Sequence, residues 1–279
     1  MTSDAREELF ARARESSTDQ GTWAEAERQW VEVIDAYRTA PSADEGADTH
    51  RRQMLARSLW RYAMLLTMRG RAVEALTPAR EAVRIFVRVD ATVAAGHTAV
   101  GDRARDEALA ELITAMVDLG EILFAADDRR GRLKTLDEAL KAGLRAGPPP
   151  TAGPLTRRAM GTGYHNLAVA LTNTRLPGLS PDQAREAALA ASRAVELRQS
   201  LIDPADAMTG WELANSYLVF TQRLVLIEDV DRAGMVVKLA RALIEVLEPA
   251  GGDLTDQLRE TSSLVAAARI TAQRHRWKR

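Results

Sequence analysis

The sequence predicts an all-α protein, and three observations carry that prediction. Alanine, the strongest helix former, fills 49 of the 279 positions. Apolar residues recur at i, i+3, i+4 and i+7 in one segment after another. No alternating apolar–polar run is long enough to make a strand.

Taken in order, the first helix is expected over about 3–17. The second begins at Thr22, where Thr22 and Glu25 have the spacing of a capping box, and carries the stripe Trp30, Val33, Ile34 and Tyr37. The stretch from Pro41 to Asp48 reads as a loop. Helices follow over about 50–69, stopping at Gly70, and 71–89. Residues 90–100 read as a helix end plus a loop around Gly96 and Gly101. Two more helices span about 102–126 and 129–146. Three consecutive prolines within 147–154 stop any helix. Helices resume at about 155–175 and 181–202, the latter announced by Ser180-Pro181-Asp182-Gln183, an N-cap with proline at the first helical position. The last three run over about 205–228, 230–248 and 254–276.

Composition narrows the function. Lys plus Arg is 38 and Asp plus Glu is 39, so the net charge is −1 and bulk charge favours neither direct nucleic-acid binding nor a membrane surface. There is no cysteine, which excludes disulfides, thiolate nucleophiles and Cys-ligated metals. The amino-terminal stretch is charged and lacks the apolar core of a signal peptide, and no run of about 18 apolar residues occurs. The expectation is a cytoplasmic protein with no membrane contact.

Internal repeats set the architecture. From Leu59 the chain reads LWRYAMLLTMRGRAVEALTPAREAV. Leu59, Tyr62, Ala63 and Leu66 lie on one helix, Gly70 at a turn, and Ala75, Ala79 and Ala82 on the next. Small residues at these spacings let one helix nest against another. Met116, Leu119, Gly120 and Leu123 repeat the first-helix pattern, with Leu136 and Ala139 after them. Tyr164, Leu167, Ala168 and Leu171 do so again, with Ala187, Ala191 and Ala194. A fourth copy has Tyr217, Phe220, Thr221 and Leu224, then Ala233, Val237 and Ala240. A poorer one has Phe10, Ala13, Gly21, Ala26 and Trp30.

These segments resemble tetratricopeptide (TPR) repeats over roughly residues 5–248. Their turn-to-turn spacing exceeds the usual 34 or so residues, as in the long-helix repeats of kinesin-light-chain type common in large TPR proteins of high-GC bacteria. The resemblance implies a right-handed α-solenoid of about five hairpins plus a capping helix at about 254–276. Residues 1–279 are then one repeat domain, with a kink or sub-domain boundary at 147–154.

The resemblance also implies a concave groove lined by the first helix of each repeat. Carried over residue by residue, its lining includes Arg57, Trp60, Met64 and Met68, then Thr114, Val117, Glu121 and Phe124. Thr162, His165, Val169 and Asn173 follow, then Asn215, Leu218 and Gln222. One TPR subclass grips a peptide terminus with Lys, Asn and Arg; here Trp60 and Met64 stand where the Lys and Asn would, so that clamp is not expected. The bland reading of Trp60 and Met64 is core packing against a neighbouring hairpin.

Nothing in the sequence assembles catalysis. His50, His97, His165 and His275 are isolated and form no metal-binding pair. Asp127-Asp128 lacks a third acid and reads as a helix cap. Gly161-Thr162-Gly163 lacks the strand and third glycine of a dinucleotide fingerprint. There is no P-loop and no nucleophile elbow. Neither a cofactor nor a metal is expected. The basic end RHRWKR at 274–279 suits its own helix dipole. Residues 1–50 carry charge −7 and residues 51–100 carry +6, as solvated faces or as separate partner surfaces.

The function expected from the resemblance is a non-catalytic scaffold or regulatory adaptor that binds a peptide or helix of another protein in its groove. The alternatives are a small-ligand sensor with a polar pocket around His165, Asn166, Asn173 and Asn215, an all-α enzyme with an unfamiliar site, and a homodimer through Ala-rich faces or the last helix.

Overall fold

The structure is a computed structural model. It describes residues 2–96, 102–145, 147–148, 151–172, 179–247 and 252–276. Among these there are eleven α-helices and no strand: α1 Ser3–Ser16, α2 Trp23–Thr39, α3 Glu45–Met68, α4 Ala72–Ala95, α5 Asp102–Ala125, α6 Arg129–Arg145, α7 Pro154–Thr172, α8 Pro181–Gln199, α9 Ala207–Leu226, α10 Val230–Leu247 and α11 Gly252–Arg276. Contacts cluster into two units, Met1–Ala146 and Gly147–Arg279, divided at the start of the proline-rich stretch.

Local chemistry explains most boundaries. The Ser180 hydroxyl accepts from Gln183 N–H while the Gln183 side chain accepts from Ser180 N–H, so the capping box forms as the sequence predicts. The box at Thr22 does not. A short 3-10 turn over Gln20–Thr22 precedes α2, and the Thr22 hydroxyl donates back to the carbonyls of Ser16 and Asp19 instead of capping the helix. Two further boundaries differ from expectation. The α3 helix starts at Glu45, inside the expected loop, because the Asp44 carboxylate accepts from Ala47 N–H at 2.7 Å. The α4 helix runs on to Ala95, with Val89 buried on its inner side; Gly101 lies outside the described residues. Asp128 accepts from Gly131 N–H at 2.8 Å and caps α6, as expected.

Three hairpins share one turn. After α3, Gly70 has φ 75° and donates to Thr67 O, while Arg71 N–H reaches Leu66 O. This is a Schellman motif, in which a left-handed residue closes the last helical carbonyls. After α5 the same bonds run from Asp127 (φ 63°) to Phe124 O and from Asp128 to Leu123 O. After α9 they run from Glu228 (φ 61°) to Val225 O and from Asp229 to Leu224 O. Leu66, Leu123 and Leu224 therefore occupy equivalent places, and the repeat register read from the sequence is the register of the backbone.

In the N-terminal unit, consecutive helices pack on one another from α1 to α6, and α3 also touches α5. In the C-terminal unit, consecutive helices pack from α7 to α11, α7 touches α9, and α9 touches α11. The even-numbered helices do not pack comparably on one another. The odd helices thus form the closely spaced layer of each unit. The predicted small positions are sealed: Ala75, Ala79, Ala82, Ala187, Ala191, Ala194, Ala233 and Ala240 are all buried. Around Ala75 and Ala79 they make a core with Leu66, Leu119, Ile122 and Leu123. Trp30 takes a small residue's place in α2. It stays fully buried by stacking edge-on against Phe10 (centroids 5.1 Å apart) and donating its indole N–H to Ser17 Oγ at 2.9 Å.

Candidate functional site

The candidate groove residues divide between the two units. In the N-terminal unit, Arg57 projects from α3 toward α5. It donates from Nη2 to Glu107 at 3.0 Å and from Nε to Glu111. Gln53 adds a bond to the other Glu111 oxygen at 2.7 Å. One turn on, Trp60 donates its indole N–H to Asp118 Oδ2 at 2.9 Å, and the Arg61 guanidinium lies 4.9 Å from the Trp60 ring centre. Burial pushes the Asp118 carboxyl up to about 6, against the lowering effect of the Trp60 bond.

Met64 is half-buried against the core around Ala63 and Leu66. Met68, one turn further along α3, is 51% exposed. On α5, Glu121 accepts from Arg132 Nη2 at 2.7 Å, and the Arg132 guanidinium lies 4.4 Å from the Phe124 ring centre. Those two candidates are held by their own hairpin partner. Val117 and Leu218, grouped with the groove by the repeat pattern, are fully enclosed in the core and present nothing to a ligand.

In the C-terminal unit, His165 on α7 is buried among polar groups. Its Nδ1 lies 3.3 Å from Ser216 Oγ on α9 and 3.4 Å from Arg198 Nη1 on α8. Arg198 also donates to Ser216 Oγ and to the Glu212 carbonyl at 2.8 Å. The donating guanidinium makes Nδ1 an acceptor. Burial, reinforced by Arg198 and Arg223, pushes the imidazole down to about 3, so it is neutral at every physiological pH. The Arg198 stem passes Gly161, where an added Cβ would meet Arg198 Cγ at 3.4 Å. That close approach gives the Gly161-Thr162-Gly163 stretch its structural meaning.

Asn215 and Gln222 lie half-exposed on α9. Gln222 donates to Thr261 of α11 at 3.1 Å. Asn173 and His97 fall outside the described residues, as does the end of the basic RHRWKR segment. The polar pocket expected around His165, Asn166, Asn173 and Asn215 is therefore described only in part. Its histidine is engaged by Ser216 and Arg198 rather than free for a ligand.

The sequence pattern missed two features. An open groove of about 480 Å³ runs along α2 and α4, with Leu59 and Tyr62 of α3 in its lining and the Arg38–Glu81 ion pair at its edge. The second is the arginine cluster of α7, α8 and α9. Its members, Arg158, Arg198 and Arg223, are 25 to 65 positions apart in the chain, and only the equivalence of the helices could have brought them together. Among the described residues, no group of three or more His, Asp or Glu side chains could hold a metal. Nor is any helix long and apolar enough to cross a membrane.

The helical arrangement has known counterparts. BtubC (BKLC) from P. vanneervenii superimposes with a TM-score of 0.58 at 16% identity, over 87% of this chain and 81% of that one. The fold is TPR-like. Kinesin light chain TPR-like repeats from Podosopora anserina align at 16% identity over 87% of this chain and 96% of theirs, with a TM-score of 0.49. No protein-family model matches the sequence, and no curated protein matches it.

Proposed function

We propose that this TPR-like protein is a non-catalytic interaction scaffold that receives a peptide or helix of a partner protein along its odd-numbered helices. The observation that supports this reading most is the partial exposure of side chains on that layer. Met68 on α3 is open, Trp60 and Met64 are half-open, and Asn215 and Gln222 on α9 are half-open. The methionine and aromatic surface of the N-terminal unit suits an apolar stretch, and the amides of the C-terminal unit suit a polar one. Arg57 and Arg132 of the N-terminal unit are already paired with Glu107, Glu111 and Glu121, which leaves Met68 and its neighbours as the adaptable contact surface.

The test is affinity capture of the tagged full chain from its native cell extract, read by mass spectrometry, beside baits carrying Met68→Glu or Asn215→Ala. Both positions are open enough to change without emptying the core. Enrichment of one partner by the native bait, with at least about tenfold loss on Met68→Glu, agrees with the groove reading. Equal capture by all three baits overturns it. Trp60→Ala is the wrong probe, because it strands Asp118 without its donor.

A further inference from the structure

Helix α10 carries two apolar seams. Ala233, Val237, Ala240 and Ile244 face the interior of the C-terminal unit and are buried. Met235, Leu239, Ala242 and Val246 lie on the opposite side of the helix and are exposed. In both sets, successive members are four, three and four residues apart. Met235 is 62% exposed, Leu239 51% and Val246 80%, which makes Val246 the most open large apolar side chain among the described residues. A helix on a protein surface ordinarily has one apolar stripe and turns charged residues to water. The outer faces of α6 and α8 follow that rule, with Lys134, Asp137, Glu138 and Lys141 on one and Arg185, Glu186, Arg193 and Glu196 on the other. The outer face of α10 does not. Its spacing is that of a heptad seam, by which one helix receives another, with Leu239 and Val246 at a positions and Met235 and Ala242 at d positions.

The seam is complementary to itself. Laid antiparallel on a second α10, about a two-fold axis between Ala240 and Arg241, its a positions face d positions. Leu239 then meets the partner's Ala242, a large residue against a small one, and Met235 meets the partner's Val246. The charged flank of the seam holds Lys238 and Glu245, seven residues apart. Both are exposed, and neither has an ion-pair partner among the described residues. In the antiparallel pair the Lys238 ammonium comes beside the partner's Glu245, and the two-fold axis makes that contact twice. In a parallel pair Lys238 would face the partner's Leu243 instead, with no acid opposite it.

We propose that two copies of this chain associate through the exposed seam of α10, antiparallel about a two-fold axis. The seam spans about 17 Å from Met235 to Val246, so the dimer is weak and forms by mass action. The proposal is independent of the groove reading: α10 is an even-numbered helix, whereas Met68, Asn215 and Gln222 lie on odd-numbered ones. A dimer joined in this way carries two receiving layers, and a partner with two matching segments is held with the gain of bivalency.

The test is sedimentation equilibrium of the full chain over a wide concentration series. The average mass should climb from that of one chain, 30.6 kDa, toward twice that value. Leu239→Glu should weaken association at least about tenfold. Leu189→Glu, the same change at an exposed position on α8, should associate like the native chain. Lys238→Glu alone and Glu245→Lys alone should each weaken association about fivefold at low salt. The double variant should recover it, because the swap restores both cross-pairs. Thermal melting followed by circular dichroism checks that each variant folds as the native chain does.

The chain has no cysteine, so introduced cysteines report the geometry without interference. A mixture of Leu239→Cys and Ala242→Cys chains should oxidise to the mixed disulfide faster than either variant joins with itself. A mass that stays at one chain throughout overturns the proposal and leaves the seam to a helix of another protein. Association unchanged by Leu239→Glu overturns it as well. A double swap that fails to recover, or faster joining of like variants, overturns the antiparallel arrangement.

Discussion

The two units solve the same packing problem and treat charge in opposite ways. On the odd helices of the N-terminal unit, arginines meet carboxylates across neighbouring helices: Arg57 with Glu107 and Glu111, Arg132 with Glu121. The group left over there is an acid, Asp118, whose donor is an indole. In the C-terminal unit the surplus is cationic. Arg198 and Arg223 are buried on backbone carbonyls, a serine and a neutral histidine, and Glu212, the carboxylate that acts on Arg198, is hydrogen-bonded to Arg158. Equivalent helices in one fold thus enclose charge of opposite sign. The repeat pattern dictates where side chains go; it does not dictate the electrostatics of the space they share.

The sharpest break of this contrast is Glu212→Gln. It removes the carboxylate that Arg158 holds and that also acts on Arg198, and losing one partner of a partly buried pair costs about 2–4 kcal/mol. Hydrogen exchange should speed up in α7, α8 and α9 while the α3–α5 amides stay protected. Loss of protection in both units equally would mean that the arginines do not depend on Glu212.

Asp118→Asn tests the other side. The folded carboxyl holds its proton up to about pH 6, above the ordinary value of 3.8. Stability is therefore lost as pH rises from about 4 to about 6, and stays lost above that. An amide keeps an acceptor for Trp60 without the buried charge. The variant should gain about 1–2 kcal/mol in denaturant unfolding at pH 8 and nothing near pH 4. A gain that does not change with pH would separate Asp118 from the titration.

The smallest effect concerns the shared turn. Glu228 holds φ 61°, where Gly70 holds φ 75° in the equivalent place. Glu228→Gly should raise stability by roughly 0.5–1 kcal/mol through relief of left-handed strain. A loss on thermal melting would show that the Glu228 side chain contributes something beyond its backbone.

Much of this fold was legible from the chain because it is local. Helix-period apolar stripes and alanines at fixed spacing act within one hairpin, and the Schellman leucines lie at the places the repeat pattern assigns them. The Thr22 box failed because Thr22 was free to turn its hydroxyl back to two carbonyls, a choice that depends on the 3-10 turn before it. Asp44 was passed over because Gly46, two residues on, reads as a breaker; in the first turn of α3 it is tolerated. The groove was less legible than the fold. Sequence spacing puts Glu121 and His165 on the right helices, but not the arginines that engage them, which arrive from α6 and α8. Arg223 had no local signal at all, since the carbonyl that holds it, that of Ala168, is 55 positions away in the chain.

The shared Schellman turn also bears on how the chain reaches this state. Within each unit, helices pack mainly on the helices beside them in sequence, so most tertiary contacts form without closing a long loop. Such low contact order favours folding within microseconds to milliseconds, with any hairpin able to serve as nucleus for its neighbours. Gaining or losing a whole hairpin would then disturb only the interfaces on either side of it, which makes hairpin number the variable that chains of this kind can alter most cheaply over evolutionary time.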